Sequence, residues 1–262
     1  MSISNSIKSS LSGLEVISLK EVQKASLMRR KDSKYVFEVE KLPSLLEKVL
    51  SDYRVMEIEG VRAQSYQTFY YDTPEFDMYF RHHRGMVNRH KVRFRKYGTS
   101  NDMFLEVKKK NAKGVTVKNR MVAVNGEMSI QSSEEEFLNE YTPFECDSII
   151  PVLENSFNRI TLVNATQTER ITLDFNLWFS STITDNSIEV PGVAIAEIKY
   201  GDHLAGSRFH AALREVKITP GRISKYCIGM AILNPDLKQN LFKQKVRKIN
   251  KINNNYLQSI KN

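Results

Sequence analysis

Apolar and polar positions alternate through several short stretches of the chain, which predicts half-buried β-strands. Side chains two residues apart share one face of a strand. In "VRFRKY", Arg93 and Arg95 share a face opposite Val92 and Phe94. In "FLEVKKK", Glu106, Lys108 and Lys110 oppose Leu105 and Val107; in "VTVKNRMV", Thr116, Lys118 and Arg120 oppose Val117 and Met121. Further on, Arg170, Thr172, Asp174 and Asn176 oppose Ile171, Leu173, Phe175 and Leu177, and Glu197 and Lys199 oppose Ala196 and Ile198. "KYVFEVE" (Lys34 to Glu40) alternates in the same way, and "AQSYQTFYYDT" is aromatic, β-rich and ended by Asp72-Thr73-Pro74.

Helical spacing marks "KLPSLLEKVLSDY", where Leu42, Leu45, Leu46, Val49 and Leu50 recur on one side and Pro43 falls in a first turn. "GSRFHAALREV" and "SKYCIGMAILN" also read as helices. The acidic middle, about Ser132 to Phe157, predicts a short helix capped by Ser132 or Ser133 with glutamates in its first turn. The tail, residues 236–262, is basic and amphipathic; the spacing predicts a helix docked on the core, the alternative being an interfacial helix on anionic lipid or polyphosphate. No linker or composition break separates domains, so one domain over residues 1–262 is expected.

Hydrophobic residues make up 41% of the 262, ordinary for a globular protein and too many for a disordered one. Cys146 and Cys227 are far apart and outside metal-ligand spacing, so neither a disulfide framework nor a zinc site is expected. His82 and His83 read as structural, as do Tyr35, Tyr226, Trp178 and the turn residue Asp72. There is no signal-peptide pattern and no membrane-length apolar run; the expectation is a cytoplasmic protein.

A net charge of +9 changes the picture. It calls for a polyanionic partner, and its distribution says where. Lys91, Arg93, Arg95, Lys96, Lys108, Lys109 and Lys110 crowd one predicted hairpin that holds only Asp102 and Glu106 as acids. A sheet with one wet face gives the same alternation. A solvated face, however, intersperses both signs, and like charges opposite one another destabilise a sheet. Helices that cover the apolar faces would turn the charged faces inward. The expected fold is therefore α+β: an antiparallel β-barrel around a cationic tunnel, with helices packed outside. Such a lumen is costly when empty and suits phosphate chains, gripped by arginine forks and lysine point charges. A carboxylate would face phosphate through a hard divalent ion, Mg²⁺ or Mn²⁺. No aromatic stacking platform accompanies the cations beyond Phe94 and Tyr97, which argues against nucleic acid.

The ordered set "RRKDSKYVF", "TFYYDTPEFDMY", "HRGMVNRHKVRFRKY", "FLEVKKK", "ERITLDFNL", "AIAEIKY" and "RISKYCIGM", over about residues 29–233, resembles the triphosphate tunnel metalloenzymes, and among them the vacuolar transporter chaperone (VTC) domain, a polyphosphate polymerase. The resemblance implies phosphate-binding roles for Lys34, Arg93, Arg95, Lys108, Arg170, Arg222 and Lys225, with Lys118, Arg120 and Lys199 alongside. It implies metal binding by Glu197, with Glu106 a second acidic candidate. Arg93, Arg95, Lys108, Arg170 and Glu197 would carry catalysis. The stretch "RKDSK" has a single acid, Asp32, where other tunnel enzymes have Glu-x-Glu-x-Lys; this departs from triphosphatases and cyclases and suits the VTC branch. The implied activity is transfer of the ATP γ-phosphoryl group to a growing inorganic polyphosphate, with Mn²⁺ or Mg²⁺. The alternatives are an inorganic triphosphatase or nucleoside triphosphatase, and a noncatalytic polyphosphate-binding module. A membrane-protein partner leaves no mark in these residues.

Overall fold

The structure, a computed structural model, describes residues 3–24, 31–98, 100, 102–126, 128–201 and 203–261. The start of the first matching motif, Arg29-Arg30, lies outside them. In chain order the elements are α1 (Ile3–Ser12), β1 (Glu15–Ser18), α2 (Leu19–Lys24), β2 (Lys31–Glu38), α3 (Leu42–Glu47), β3 (Tyr53–Glu57), β4 (Ala63–Asp72), α4 (Asp77–His83), β5 (Arg89–Tyr97), β6 (Met103–Lys110), β7 (Thr116–Val122), α5 (Ser132–Tyr141), β8 (Ile150–Asn164), β9 (Glu169–Ser181), β10 (Ser187–Val190), β11 (Val193–Tyr200), α6 (Arg208–Glu215), β12 (Pro220–Gly221), α7 (Lys225–Leu233) and α8 (Lys243–Ser259).

The strands form one large sheet with the order β12-β2-β11-β9-β8-β4-β5-β6-β7; β3 joins at β8, β1 pairs with β3, and β10 with β9. Every pairing is antiparallel except β1 with β3. The chain is thus an α+β fold on a large antiparallel sheet. Among the described residues the end strands β7 and β12 do not pair with each other.

Two apolar clusters cover one face. Phe37, Ile171, Leu173, Ala196 and Ile198 pack under α1, α3 and α6 through Ile7, Leu45, Leu46, Phe209 and Leu213. Val92, Phe94, Leu105 and Val107 pack under α5 through Leu138. These strand residues have the parity opposite to Arg93, Arg95, Glu106, Lys108, Asp174 and Glu197. The helices therefore hold the charged face away from themselves, as the alternation required.

A third cluster lies on the charged face itself. Tyr70, Leu153, Phe157, Leu177, Phe179, Val193 and Ile195 surround α7, whose residues Tyr226–Ala231 are all buried. A helix apolar all round must be enclosed on every side, and α7 accordingly fills part of the concave side of the sheet. It sits very close: a Cβ on Gly229 would lie 2.6 Å from Phe179 and 2.8 Å from Leu153. Only glycine admits that approach. Ser224 caps the helix, accepting from the Cys227 N–H at 3.3 Å.

Three sequence expectations are corrected. "DSIIPVLENSF" belongs to the acidic middle by composition, yet from Ile150 it is the start of β8, a central strand paired with both β4 and β9. On β9 a bulge at Asn176, with φ 52°, inserts one residue against β8. Asn176 is exposed rather than aligned with Asp174, and Leu177 and Phe179 swing to the charged face while Phe175 stays with the outer cluster. The α5 helix begins after Gln131, one residue before the expected caps; the Gln131 N–H donates to Glu134 at 3.3 Å.

Candidate functional site

The β5–β6 hairpin supplies the first layer. Arg93 donates from two nitrogens to one oxygen of Glu106, at 2.7 and 2.5 Å, and Lys118 from β7 bonds the other oxygen. Burial alone would raise the Glu106 carboxyl; Arg93, Arg95 and Lys118 outweigh it and hold the group well below the usual range. Arg95 donates to Thr68 Oγ1 at 3.0 Å and lies over the rings of Tyr66 and Phe157. Lys108 makes no ion pair among the described residues. Arg93 above all, then burial, Arg95 and Lys199, push its pKa well down.

A second layer is built on β8, β9 and α7. Arg159 grips Asp174 with both prongs, at 2.5 and 2.7 Å, and Lys225, the first residue of α7, bonds the same carboxylate. Lys225 Nζ is 4.3 Å from the centre of the Phe157 ring. The third layer is on β2 and β11, where Lys34 bonds Glu197 Oε1 and Lys199 lies 3.7 Å from Oε2. Burial, with Lys199, Lys225 and Arg159 adding to it against Asp32, lowers Lys34 to about 8.

These layers face one space. Four strands separate β6 from β11 in the sheet, which in a flat sheet would put them roughly 24 Å apart at ~4.8 Å per strand. Lys199 is nevertheless among the charges that lower the Lys108 pKa, so the sheet curls around its charged face. Tyr70 tells the same story: burial raises it, but Arg93, Arg95, Lys225 and Lys91, drawn from β5 and α7, bring it below its ordinary value.

Cations stand against cations here. Lys91, Lys108 and Lys118 are direct cross-strand neighbours on β5, β6 and β7, and Lys199 is opposite Arg170 on β11 and β9. Such pairs destabilise a sheet unless an anion lies between them. Thr172, next to Asp174 on this face, has a buried hydroxyl with no hydrogen-bond partner. The arrangement can bind, neutralise and align a chain of phosphates.

Of the residues singled out from sequence, Lys34, Arg93, Arg95, Lys108, Lys118, Lys199, Lys225, Glu106 and Glu197 come together in this cluster, and Arg170 has the matching parity and register. Arg120 is exposed on β7 over the Phe104 ring, and Arg222 is exposed between β12 and α7; neither is enclosed. Arg159 and Tyr70 escape the sequence reading, and Lys91 enters it only as one of the hairpin's charges. Arg159 carried a usable signal, since Phe157, Arg159 and Thr161 alternate with Ile160 and Leu162 as the other strands do. His82 pairs with Cys227, its Nδ1 3.0 Å from Sγ, and burial drives it to about 3, so both are structural. Cys146 is only partly buried. Asp72 is more than a turn residue: buried, it accepts from the N–H groups of Thr73, Met78 and Tyr79 and from the Tyr226 hydroxyl, tying α4 to α7.

A divalent ion needs hard oxygen donors. No group of three His, Cys, Asp or Glu side chains close enough to hold one occurs among the described residues, so an ion would have to draw most of its oxygens from phosphate. Glu197, with its side chain 19% exposed, fits as the single protein donor once Lys34 yields. Glu106, expected as a second ligand, is fully enclosed with both oxygens taken by Arg93 and Lys118. No helix among the described residues is long and apolar enough to cross a membrane.

The fold is shared with solved structures of other proteins. The structure is similar to that of a Bacillus halodurans protein described as an adenylate cyclase, with a TM-score of 0.51 and 11% identity over 75% of this chain and 94% of that one. It is also similar to PH1819 of Pyrococcus horikoshii (TM-score 0.46, 16% identity, 77% and 96% covered) and to an adenylyl cyclase from Hippeastrum with a dominant triphosphatase activity (0.48, 13%, 76% and 94%). No curated protein matches the chain. The VTC domain family matches residues 29–234, and the chain belongs to that family.

Proposed function

We propose that the curled sheet encloses a tunnel and that the protein is a polyphosphate polymerase, moving the γ-phosphoryl group of ATP onto the end of an inorganic polyphosphate. The observation that carries this reading is the ladder of opposed cations, Lys91–Lys108–Lys118 and Lys199–Arg170, on a concave face whose carboxylates are already paired. VTC membership supports triphosphate or polyphosphate as the ligand.

The triphosphate of ATP lies along the tunnel. Arg93 and Arg95 hold the transferring phosphoryl by paired N–H donors, and Lys108, on the neighbouring strand β6, adds a point charge beside them. The terminal oxygen of the polyphosphate attacks γ-phosphorus in line; the new P–O bond forms as the β–γ bridging bond breaks, and ADP leaves. The attacking oxygen is already anionic and needs no general base. Catalysis is then alignment and charge stabilisation. Glu197 would hold Mn²⁺ or Mg²⁺ jointly with phosphate oxygens; such an ion, when bound, neutralises charge developing on the phosphates. Glu106 and Asp174 serve instead as fixed counter-charges that keep Arg93 and Arg159 in place.

The test is purified protein with γ-labelled ATP and Mn²⁺ or Mg²⁺. Label in long-chain polyphosphate is the expected product. Label as free phosphate would make the protein a hydrolase, and unchanged ATP a binding module.

A further inference from the structure

The packing of α8 leaves one of its faces unused. Its apolar seam, Phe242, Ile249 and Ile252, is buried, and Asn253 fixes it by accepting from the Gly192 N–H at 3.1 Å and donating to the Glu189 carbonyl at 3.1 Å. Diametrically opposite the seam, at 100° per residue, lie Lys243, Arg247 and Lys251, all exposed, with Gln244, Asn254 and Gln258 between them. From Leu237 to Asn262 the sequence has no Asp or Glu. None of these three cations has an ion pair among the described residues. They recur every fourth residue, roughly 6 Å apart along the axis.

This stripe begins beside the site. Phe242, at the head of α8, packs edge-on against His82 with ring centres 5.7 Å apart. His82 touches Cys227, whose cap Ser224 accepts from Lys91 at 2.9 Å. Lys91 is the first rung of the opposed-cation ladder. Lys91, Arg89, Lys245 and Lys110 all add to the burial that keeps His82 neutral, so cations of the hairpin and of α8 surround that one ring. A membrane-binding helix shows apolar side chains on its outward face, whereas the face of α8 opposite the seam is polar, and the exposed Leu241 and Ile260 lie beyond its two ends. A solvated, flexible polyanion is the occupant that fits.

We infer that α8 is an exosite for polyphosphate: a chain too long for the concave site leaves it past Lys91, Arg89 and Lys110 and runs along Lys243, Arg247 and Lys251. The inference rests on the polyphosphate reading above. It adds a chain-length preference, because only long chains reach both places. The effect is one of linked sites, in which the second contact is made at high effective concentration.

The experiment compares tripolyphosphate with polyphosphate of about a hundred units, binding to the wild type and to K243Q/R247Q/K251Q, at several salt concentrations. These residues make no structural contact, so the variant folds, which its melting curve checks. The expected result is at least tenfold weaker binding of the long chain, a salt dependence shallower by about 2 log units per log unit (from ~0.7 per lost contact on a single strand), and unchanged tripolyphosphate affinity. Long-chain binding equal in the two proteins overturns the exosite. So does capture by phosphatidylserine vesicles that the variant loses while keeping long-chain affinity, since α8 would then face a membrane. If the wild type binds the long chain through α8 but not tripolyphosphate, the exosite stands and the tunnel reading falls.

Discussion

Glu106→Gln separates a counter-charge from a metal ligand. The carboxylate is completely enclosed, takes two N–H donors from Arg93 and one from Lys118, and receives the Tyr97 hydroxyl at 3.4 Å. Glutamine keeps the shape but removes the negative charge that balances Arg93, Arg95 and Lys118. Breaking a buried ion pair from one side typically costs ~3–5 kcal/mol. Over a chain of this length that is a fall in Tm of roughly 5–10 °C, softened to the extent that Lys118, lowered by its burial, sheds its proton. The more cationic cavity should then bind polyanion more tightly. A thermal melt of each protein, with and without tripolyphosphate and without metal, reads both effects. At a hundred times its Kd a ligand stabilises by about 2.7 kcal/mol, so tripolyphosphate should recover most of the loss and shift the variant more than the wild type. An unchanged Tm with lost metal dependence of ligand binding would refute the reasoning and make Glu106 a ligand.

Other outcomes follow from the same geometry. Glu197→Gln should abolish metal-dependent turnover while polyphosphate affinity is kept or improved; full activity in that variant would remove Glu197 from the metal. Arg93→Lys should lose ~10²–10³ in rate, because one point charge does not replace a two-pronged donor; a loss under fivefold would contradict that role. Lys34 is lowered to about 8 by burial, so from there to pH 10.5 the unfolded chain holds a proton the folded chain has shed. Stability of the empty protein therefore rises with pH across that window and is least below it. Urea midpoints at pH 7.5 and 9.5 should show this rise, and show less of it in Lys34→Met; equal slopes in the two proteins would rule Lys34 out as its source.

The parts of the fold that were legible in sequence are those where a strand has one apolar and one charged face. β5, β6, β9 up to Asp174, and β11 from Ala196 onward obey that rule because helices cover only their outer side there, and their cations could be paired off by parity alone. β8 was missed because Pro151, the adjacent buried pair Val152-Leu153 and the acids around them break the alternation just where the strand starts. Arg159 was lost with it. The Asn176 bulge was invisible since one inserted residue leaves the pattern on either side intact. α7 was recognised as a helix, but not as the helix inside the charged face; its all-round apolarity was the available sign, and its partners Leu177 and Phe179 reach it only through the bulge. Pairing of Glu106 and Asp174 with cations depends on contacts between strands, which no single stretch of sequence displays. α1 and β1, under a Ser-rich and outwardly polar lead, gave too short a signal to read.

The central claim is that cations from distant strands of one sheet face hold one phosphate chain between them. A crystal structure of the protein with tripolyphosphate tests it directly. The account expects one bound molecule with oxygens in hydrogen-bonding reach of Arg93, Arg95 and Lys108 on one wall and of Arg170 or Lys199 on the other at the same time. Tripolyphosphate held by one wall alone, with the charged face open to solvent and Lys108 distant from Lys199, would contradict it.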